Sequence, residues 1–535
     1  MRPAACGSLR IRVSKPYFQS IPSAATTARV AAAIVLTTVC LRSAWVCDDA
    51  FITMRTVDNL VQGHGLRWNV AERVQTFTHP LWTFLLVPFY LVTREAYYTV
   101  VAVSLVLTAA LAFGLTLRGG SSTAGVLTAA TMLISSKAFV DFSTSGLENP
   151  LAHLLLALFV VLCMPRENKP KRLELLSAVA GLLVLTRMDT LLLVLPALIS
   201  VMRGQSRRRV LVALSMGFAP FLAWELFALV YYGAPFPNTA YAKLGTGIPR
   251  AELVGQGLAY VTNSLRIDPV TLPAVVVAAG LAVWRRKRIA RALAVGAFLY
   301  IVYVIWIGGD FMSGRFFAAP LVLSVTLLAR CFPPIPAAAA LSAPALILLV
   351  GILPATAPLR SGADYAERHR ATAADSARIT DERAFYYAET GLLGARRGAA
   401  MPDHPSAHEG RAARASGPGL AVRGGVGFFG YYAGPDWTIV EKWAVCDPLL
   451  ARLPVPEGAF WRIGHFTRPL PSGYPASLRD DVNLITDPRV AELYDAVREV
   501  TRGPLFSRRR AVAVWRLNTG AFAVPRAYDY STVSP

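Results

Sequence analysis

Charge is scarce in this chain. Of its 535 residues only 16% are charged and 54% are hydrophobic, whereas a soluble globular domain carries about 25% charged residues. The deficit argues against an ordinary soluble enzyme and for a membrane protein, in line with a mean hydropathy of +0.44. Acidic side chains are scarcer still, 33 against 54 Lys and Arg, which leaves a formal net charge of +21. That excess invites a nucleic-acid surface, but the cations sit in short clusters between apolar runs, at Arg166–Arg172, Arg203–Arg209 and Arg285–Arg291. None is interleaved with aromatics as single-strand grooves are. The pattern is that of cytoplasmic loops under the positive-inside rule, and no nucleic-acid partner is expected. Cysteine is also sparse. The six present form no CxxC or other metal-ligand spacing. Most read as small hydrophobes, and Cys47 and Cys446, both expected outside, could pair. Repeats of solenoid length are absent. So is a nucleotide-binding fingerprint, because Gly424-Gly425-Val426-Gly427 lacks the spacing and a strand–helix–strand setting.

What the chain has in abundance is apolar runs. About eleven are of a length to span a bilayer: 27–46, 96–117, 121–140, 150–164, 173–186, 190–202, 210–232, 269–284, 290–308, 316–331 and 337–358. The basic N-terminus (Arg2, Arg10, Arg12, Lys15) leads into the first run without a cleavage site and reads as a retained signal anchor. With residues 1–26 inside, the loops at Arg118, Arg166–Arg172, Arg203–Arg209, Arg285–Arg291 and Arg330 all fall in the cytoplasm. Pro80–Val92 is too short to span and is interrupted by Pro88, so it is assigned to the outer leaflet. Residues 27–358 then form a membrane domain. Residues 359–535 form an outer soluble α/β domain, helix-like over Asp364–Leu393 and loop-like over Gly394–Pro418. This topology expects a multi-pass plasma-membrane protein with its N-terminus in the cytoplasm and its C-terminal domain periplasmic.

The chemically unusual segments all land on the outer side. Asp48 and Asp49 directly follow the first apolar run, and ionisable groups at such a boundary commonly mark a functional site. Glycosyl transfer needs a carboxylate as base or to support a cationic sugar centre. A neighbouring like charge raises the pKa of one member of a pair. A solvated pair ending a helix is the plainer alternative. The same loop continues through Arg55, Trp68 and His79. Asp310 and Arg315 stand in a glycine-flanked turn, where Arg suits phosphate and an Asp–Arg tether between helices is the alternative. Lys243, after Asn238 and Tyr241, is a second phosphate candidate. Arg187 and Asp189 could form a plain ion pair, and Glu148 sits at a helix start, where the helix dipole alone could explain it. In the tail, Trp437, Trp461, His465, Arg468 and Tyr474 could meet a glycan, since aromatic faces pack on sugars as readily as in a core. The carboxylates could equally hold a divalent cation or act alone. Without a nucleotide site, a donor carried by lipid is the simplest consistent choice.

Five ordered motifs then acquire a joint meaning: DDAFITMRTVDNLVQGHGLRWNVAERVQTFTHPLW, SGLEN, LTRMD, PFPNTAYAK and GGDFMSGRFFAAP. With GFFGYY, DPLLARLP and WRIGHFTRPLPSGY in the tail, they resemble the actinobacterial terminal β-(1→2)-arabinofuranosyltransferase family over roughly residues 48–480. The resemblance implies a GT-C architecture with outward-facing catalysis and a periplasmic C-terminal domain. It implies decaprenylphosphoryl arabinofuranose as donor and the ends of cell-wall arabinan, in arabinogalactan or lipoarabinomannan, as acceptor. The family's acidic motif falls on Asp48 and Asp49, and its GGDFM motif on Asp310 and Arg315. Arg55, Lys243 and Arg315 would hold the polyprenyl phosphate. His79, Glu148, Asn238, Tyr241, Trp461, His465 and Arg468 would meet sugar or acceptor. The alternatives are a GT-C transferase using another polyprenyl-phosphate sugar, a lipid-linked glycan flippase, and a non-catalytic glycan-binding scaffold.

Overall fold

The computed structural model describes residues 23–120, 122–165, 173–333, 336, 341–396, 398–456, 458–522 and 528. The basic N-terminal segment and the Arg166–Arg172 cluster lie outside them, as does much of 334–340. In chain order the helices are α1 (Ala24–Arg42), α2 (Asp48–Val61), α3 (Pro80–Thr93), α4 (Ala96–Gly114), α5 (Thr123–Ser135), α6 (Lys137–Asp141), α7 (Asn149–Cys163) and α8 (Leu173–Thr186). They continue as α9 (Leu191–Met202), α10 (Arg207–Tyr231), α11 (Asn238–Leu244), α12 (Arg250–Ile267), α13 (Thr271–Trp284), α14 (Arg288–Trp306), α15 (Arg315–Cys331) and α16 (Ser342–Ile352). The C-terminal segment adds α17 (Tyr365–His369), α18 (Glu382–Thr390), α19 (Pro405–Ala415), β1 (Gly419–Arg423), α20 (Gly427–Ala433) and β2 (Trp437–Glu441), then α21 (Tyr474–Asp480), α22 (Pro488–Arg502) and α23 (Arg508–Asn518).

Each expected apolar run contains a helix, and short polar side chains mark where several begin. Ser122, Ser136 and Ser206 accept from Gly125, Phe139 and Arg209 amides at α5, α6 and α10, satisfying donors that a helix start leaves open. On length and composition four stretches among the described residues can cross a membrane: Ala24–Arg42, Ala96–Gly119, Arg207–Tyr231 and Arg288–Trp306. Helices α12 and α13 would make a fifth, but they meet at 97°. Helices α3, α5, α7, α8, α9 and α16 are apolar but shorter, so the structure supports a mainly helical apolar body without establishing eleven spans. Small residues bring the helices close, as in membrane bundles. A Cβ on Gly181 of α8 would lie 2.2 Å from the Gly217 carbonyl of α10, and one on Gly296 of α14 would lie 2.1 Å from the Leu193 carbonyl of α9.

Three expectations change. The sequence places α2 in an outer loop, yet it is helical and its apolar face, with Phe51, Met54 and Val57, is fully buried. The acidic pair therefore begins this helix instead of ending α1, where carboxylates also favour the N-terminal dipole. Pro405–Ala415 is helical within the segment read as a flexible loop. The regular structure of the C-terminal segment is mainly helix, and among the described residues its sheet is a single parallel pair that runs from Gly419↔Trp437 to Arg423↔Glu441.

The C-terminal segment is welded to the apolar body. One continuous hydrophobic core includes Phe51, Val100 and Leu183 together with Tyr365, Tyr387 and Phe428. Beside it lies a buried charge network. Lys137 stands 2.5 Å from Asp141 and 2.9 Å from Asp381, while Arg383 is 3.0 Å from the other oxygen of Asp141. The Tyr365 hydroxyl joins it, donating to Asp381 at 2.8 Å.

Candidate active site

A cavity of about 370 Å³ opens between the apolar body and the C-terminal segment. It is walled by the start of α2, residues 76–79 and 187–189, α11, the ends of α12 and α14, the Gly309–Phe311 turn, Arg315, and tail residues 424–426, 441–445 and 463–466. It brings together Asp48, Asp49, His79, Lys243, Asp310, Arg315 and His465.

The two aspartates are not equivalent. Asp48 accepts from the backbone amides of Gly427 at 2.8 Å and Phe428 at 2.7 Å. It thereby occupies the open donors at the N-terminus of α20. A Cβ on Gly427 would fall 1.8 Å from the Asp48 carbonyl oxygen, so the contact requires glycine. This corrects the reading of the Gly424–Gly427 stretch. It does sit between two parallel strands at a helix start, an arrangement suited to anions, but the anion it holds is a side chain of this protein. Burial raises the Asp48 carboxyl to about 6 against the pull of those amides. Asp49 faces the cavity and has no hydrogen-bond or ion-pair partner among the described residues. Burial raises its pKa and Asp310 adds to that, while Arg315 and Lys243 oppose it.

Opposite lies a fixed frame of charge. Gly308 and Gly309 have φ of +92° and +74°, a region open to glycine, and a Cβ on Gly309 would strike the Tyr260 ring at 2.6 Å. This turn buries Asp310, whose Oδ1 accepts from Phe311 N at 2.9 Å and whose Oδ2 lies 3.6 Å from Arg315. Glu148 is fully buried. It gathers Arg187 at 2.8 Å, Arg315 at 3.3 Å and His79 Nδ1 at 3.2 Å. Burial opposes its ionisation, yet Arg315 and His79 hold its carboxyl well below the usual range. Glu148 thus stands behind the wall, aiming two guanidinium groups and His79, whose Nε2 is 2.8 Å from the Thr53 hydroxyl. Arg187 also pairs with Asp189 at 2.5 Å. Lys243 has no hydrogen-bond or ion-pair partner among the described residues. Burial lowers its pKa, and Asp310 works the other way.

Several expected ligands are committed elsewhere. The Arg55 guanidinium donates to the carbonyls of Trp68, Gly430 and Trp437 and stacks on the Trp68 ring at 4.8 Å. It ties α2 to the tail and leaves the phosphate-binding set. Arg468 likewise donates to the carbonyls of Leu453, Phe466 and Ala242. The Asn238 amide serves three carbonyls, of Ala444, Val445 and Asp447. Tyr241 packs under Arg452 at 4.9 Å and lines a separate small pocket. Trp461 stacks on Phe466 at 6.0 Å, outside the cavity wall. Cys47 and Cys446 are free and buried, so they do not pair. No group of three or more His, Cys, Asp or Glu side chains among the described residues is placed to hold a metal ion.

The structure adds residues that the sequence reading missed. Trp443 lines the cavity and meets His465 edge-on at 4.0 Å, and His465 meets Phe311 at 4.3 Å. Arg462 lies 4.8 Å over Phe311 and 3.2 Å from His465 Nε2. Burial and Arg462 push the His465 imidazole down to about 3, so the ring is neutral near pH 7. Aromatic and cationic side chains are frequent in the tail, and nothing local marks these as the ones that converge on Phe311.

The chain is 34% identical over 327 residues to the terminal β-(1→2)-arabinofuranosyltransferase of Mycobacterium tuberculosis, an alignment covering 52% of this chain and 51% of that one. It is 27% identical over 325 residues to the protein of the same name from Corynebacterium glutamicum, covering 52% and 46%. Both carry the name of the family whose motifs the sequence shows, so the resemblance holds. The chain spans about half the length of these curated relatives. No family model and no solved structure matches it.

Proposed function

We propose that this chain is a membrane glycosyltransferase that moves arabinofuranose from a polyprenyl-phosphate donor to the ends of cell-wall arabinan, forming terminal β-(1→2) linkages. The observation that carries the reading is the division of labour in the acidic pair: Asp48 is bound to the α20 amides while Asp49 faces an unpartnered Lys243 across the cavity. A lone carboxylate opposite an uncommitted cation suits a reaction that separates a sugar centre from a phosphate. In this reading Asp49 supplies the reacting carboxylate, supported by Asp310, and Lys243 with Arg315 neutralises the departing polyprenyl phosphate. The bond from the anomeric carbon to the phosphate oxygen breaks. A bond from that carbon to the acceptor hydroxyl oxygen forms, and the hydroxyl proton leaves to a carboxylate. One displacement with Asp49 as base inverts the sugar, whereas two displacements through Asp49 as nucleophile retain it. Residues 27–358 form the catalytic membrane domain and residues 359–535 the periplasmic acceptor-binding domain. His79, His465 and Trp443 border the sugar and acceptor.

The test is transfer by the purified full chain, given polyprenylphosphoryl arabinofuranose and a short arabinan, with other polyprenyl-phosphate sugars in parallel. Elongated arabinan from the arabinose donor alone supports the proposal, and the anomeric configuration of the product selects between one and two displacements. Transfer of another sugar instead, or movement of the lipid across vesicles without transfer, overturns it.

A further inference from the structure

The C-terminal helix α23 plays no part in the cavity, yet its surface is unusual. Ser507 caps it, its hydroxyl accepting from Arg510 N at 3.1 Å. One face is buried: Arg510 donates to the Tyr231 carbonyl at 3.0 Å and to the Val500 carbonyl at 2.9 Å, while Asn518 donates to the Gly233 carbonyl at 2.8 Å. These contacts seat α23 on the end of α10, one of the helices long and apolar enough to cross a membrane. The seat is close, since a Cβ on Gly233 would lie 2.9 Å from Val514.

The other face is apolar and cationic together. Phe506 is 88% exposed, Trp515 66% and Val512 50%. On the last turns of α10, on whose end α23 is seated, Leu226, Leu229 and Val230 are exposed too. Arg508 and Arg509 are also exposed and have no ion-pair partner among the described residues, whereas Arg516 is paired with Glu492 at 2.8 Å. A helix with Arg on its polar edge and Trp, Phe and Val on its outer face has the composition of one lying in a membrane interface, and Trp favours that depth.

We propose that α23 is a surface anchor that inserts Phe506, Val512 and Trp515 at the headgroup level, with Arg508 and Arg509 on anionic lipid phosphates of the leaflet at the C-terminal end of α10. The proposal rests on the reading of α10 as a membrane span. Its seat on the end of α10, whose last turns expose apolar side chains, and cations without an ion-pair partner among the described residues favour lipid over a protein partner. Anchored there, α23 fixes the α22–α23 pair at the membrane surface, on the side where the cavity's tail-derived wall must meet a lipid-borne donor.

The experiment is backbone hydrogen exchange of the full chain in nanodiscs of phosphatidylcholine alone and of phosphatidylcholine with phosphatidylglycerol. Exchange over 506–518 should be several-fold slower in the anionic discs, with α21 unchanged. The Arg508→Glu/Arg509→Glu variant should lose that difference, because each arginine near an anionic surface strengthens contact roughly fivefold. Trp515→Ser should raise exchange in both lipids. Equal exchange in the two compositions, or protection that appears only when another protein is added, overturns the anchor. A chain that fails to enter the discs at all overturns the membrane reading instead.

Discussion

Two buried clusters of charge lie where the apolar body meets the C-terminal segment, and they are built to opposite plans. In one, Lys137 lies 2.5 Å from Asp141 and 2.9 Å from Asp381, Arg383 lies 3.0 Å from Asp141, and Tyr365 donates to Asp381. In the other, Glu148 ties down Arg187 and Arg315, but Asp49 and Lys243 have no hydrogen-bond or ion-pair partner among the described residues and border open volume. Buried charge is costly unless it is paired. In the first cluster each charge has an opposite charge of this protein within 3.0 Å. The second meets that condition only in part, so an incoming phosphate and a developing positive charge on a sugar find complementary groups already in position. Paired charge marks a structural cluster and uncommitted charge a reactive one.

Changes that break the closed cluster should therefore cost stability and leave chemistry to the surviving fold. Lys137→Met strands Asp141 and Asp381 near each other, and should lower folding stability by about 3–5 kcal/mol, read as a lower thermal midpoint in detergent. Any protein that remains folded should keep its donor KM. Next in size is a pH effect at the edge of the open cluster. The Asp48 carboxyl is raised from 3.8 to about 6. A carboxyl raised on folding favours the native state while protonated, so its contribution is present below pH 3.8 and lost as pH climbs to about 6. The loss is of order 3 kcal/mol. Thermal midpoints measured across that window should fall with rising pH, and the fall should flatten in Asp48→Asn. Smaller again is Lys243→Gln. Removing one charged contact to phosphate should raise the donor KM roughly tenfold to a hundredfold, with the thermal midpoint unchanged. A shift in thermal midpoint with KM unaltered would move Lys243 into the structural class.

Much of the architecture is legible in the chain, because helix formation by an apolar run is a local matter. The run at 173–186 matches α8 residue for residue. The apolar run at 121–140 predicts one helix, but Ser136 caps a second start and breaks it into α5 and α6. Helix α2 escaped because its sequence mixes acids, Thr and Arg with apolar residues at helical spacing, and burial against α20 decides its state. At the site, the neighbourhood of Asp49, Asp310, Arg315 and Lys243 is foreseeable from topology and motif order. The separation of Asp48 from Asp49 is not, since it depends on amides 379 and 380 residues away. Arg55 misleads for the same reason: an Arg beside an acidic motif resembles a phosphate ligand until carbonyls up to 382 residues distant claim it.

The direct test of the contrast between closed and open clusters is the single-turnover transfer rate of Asp49→Asn, measured with polyprenylphosphoryl arabinofuranose and a short arabinan beside the thermal midpoint of the same sample. The account predicts a rate lower by about 10²–10⁴-fold at an unchanged midpoint. A rate within twofold of the parent protein would contradict it.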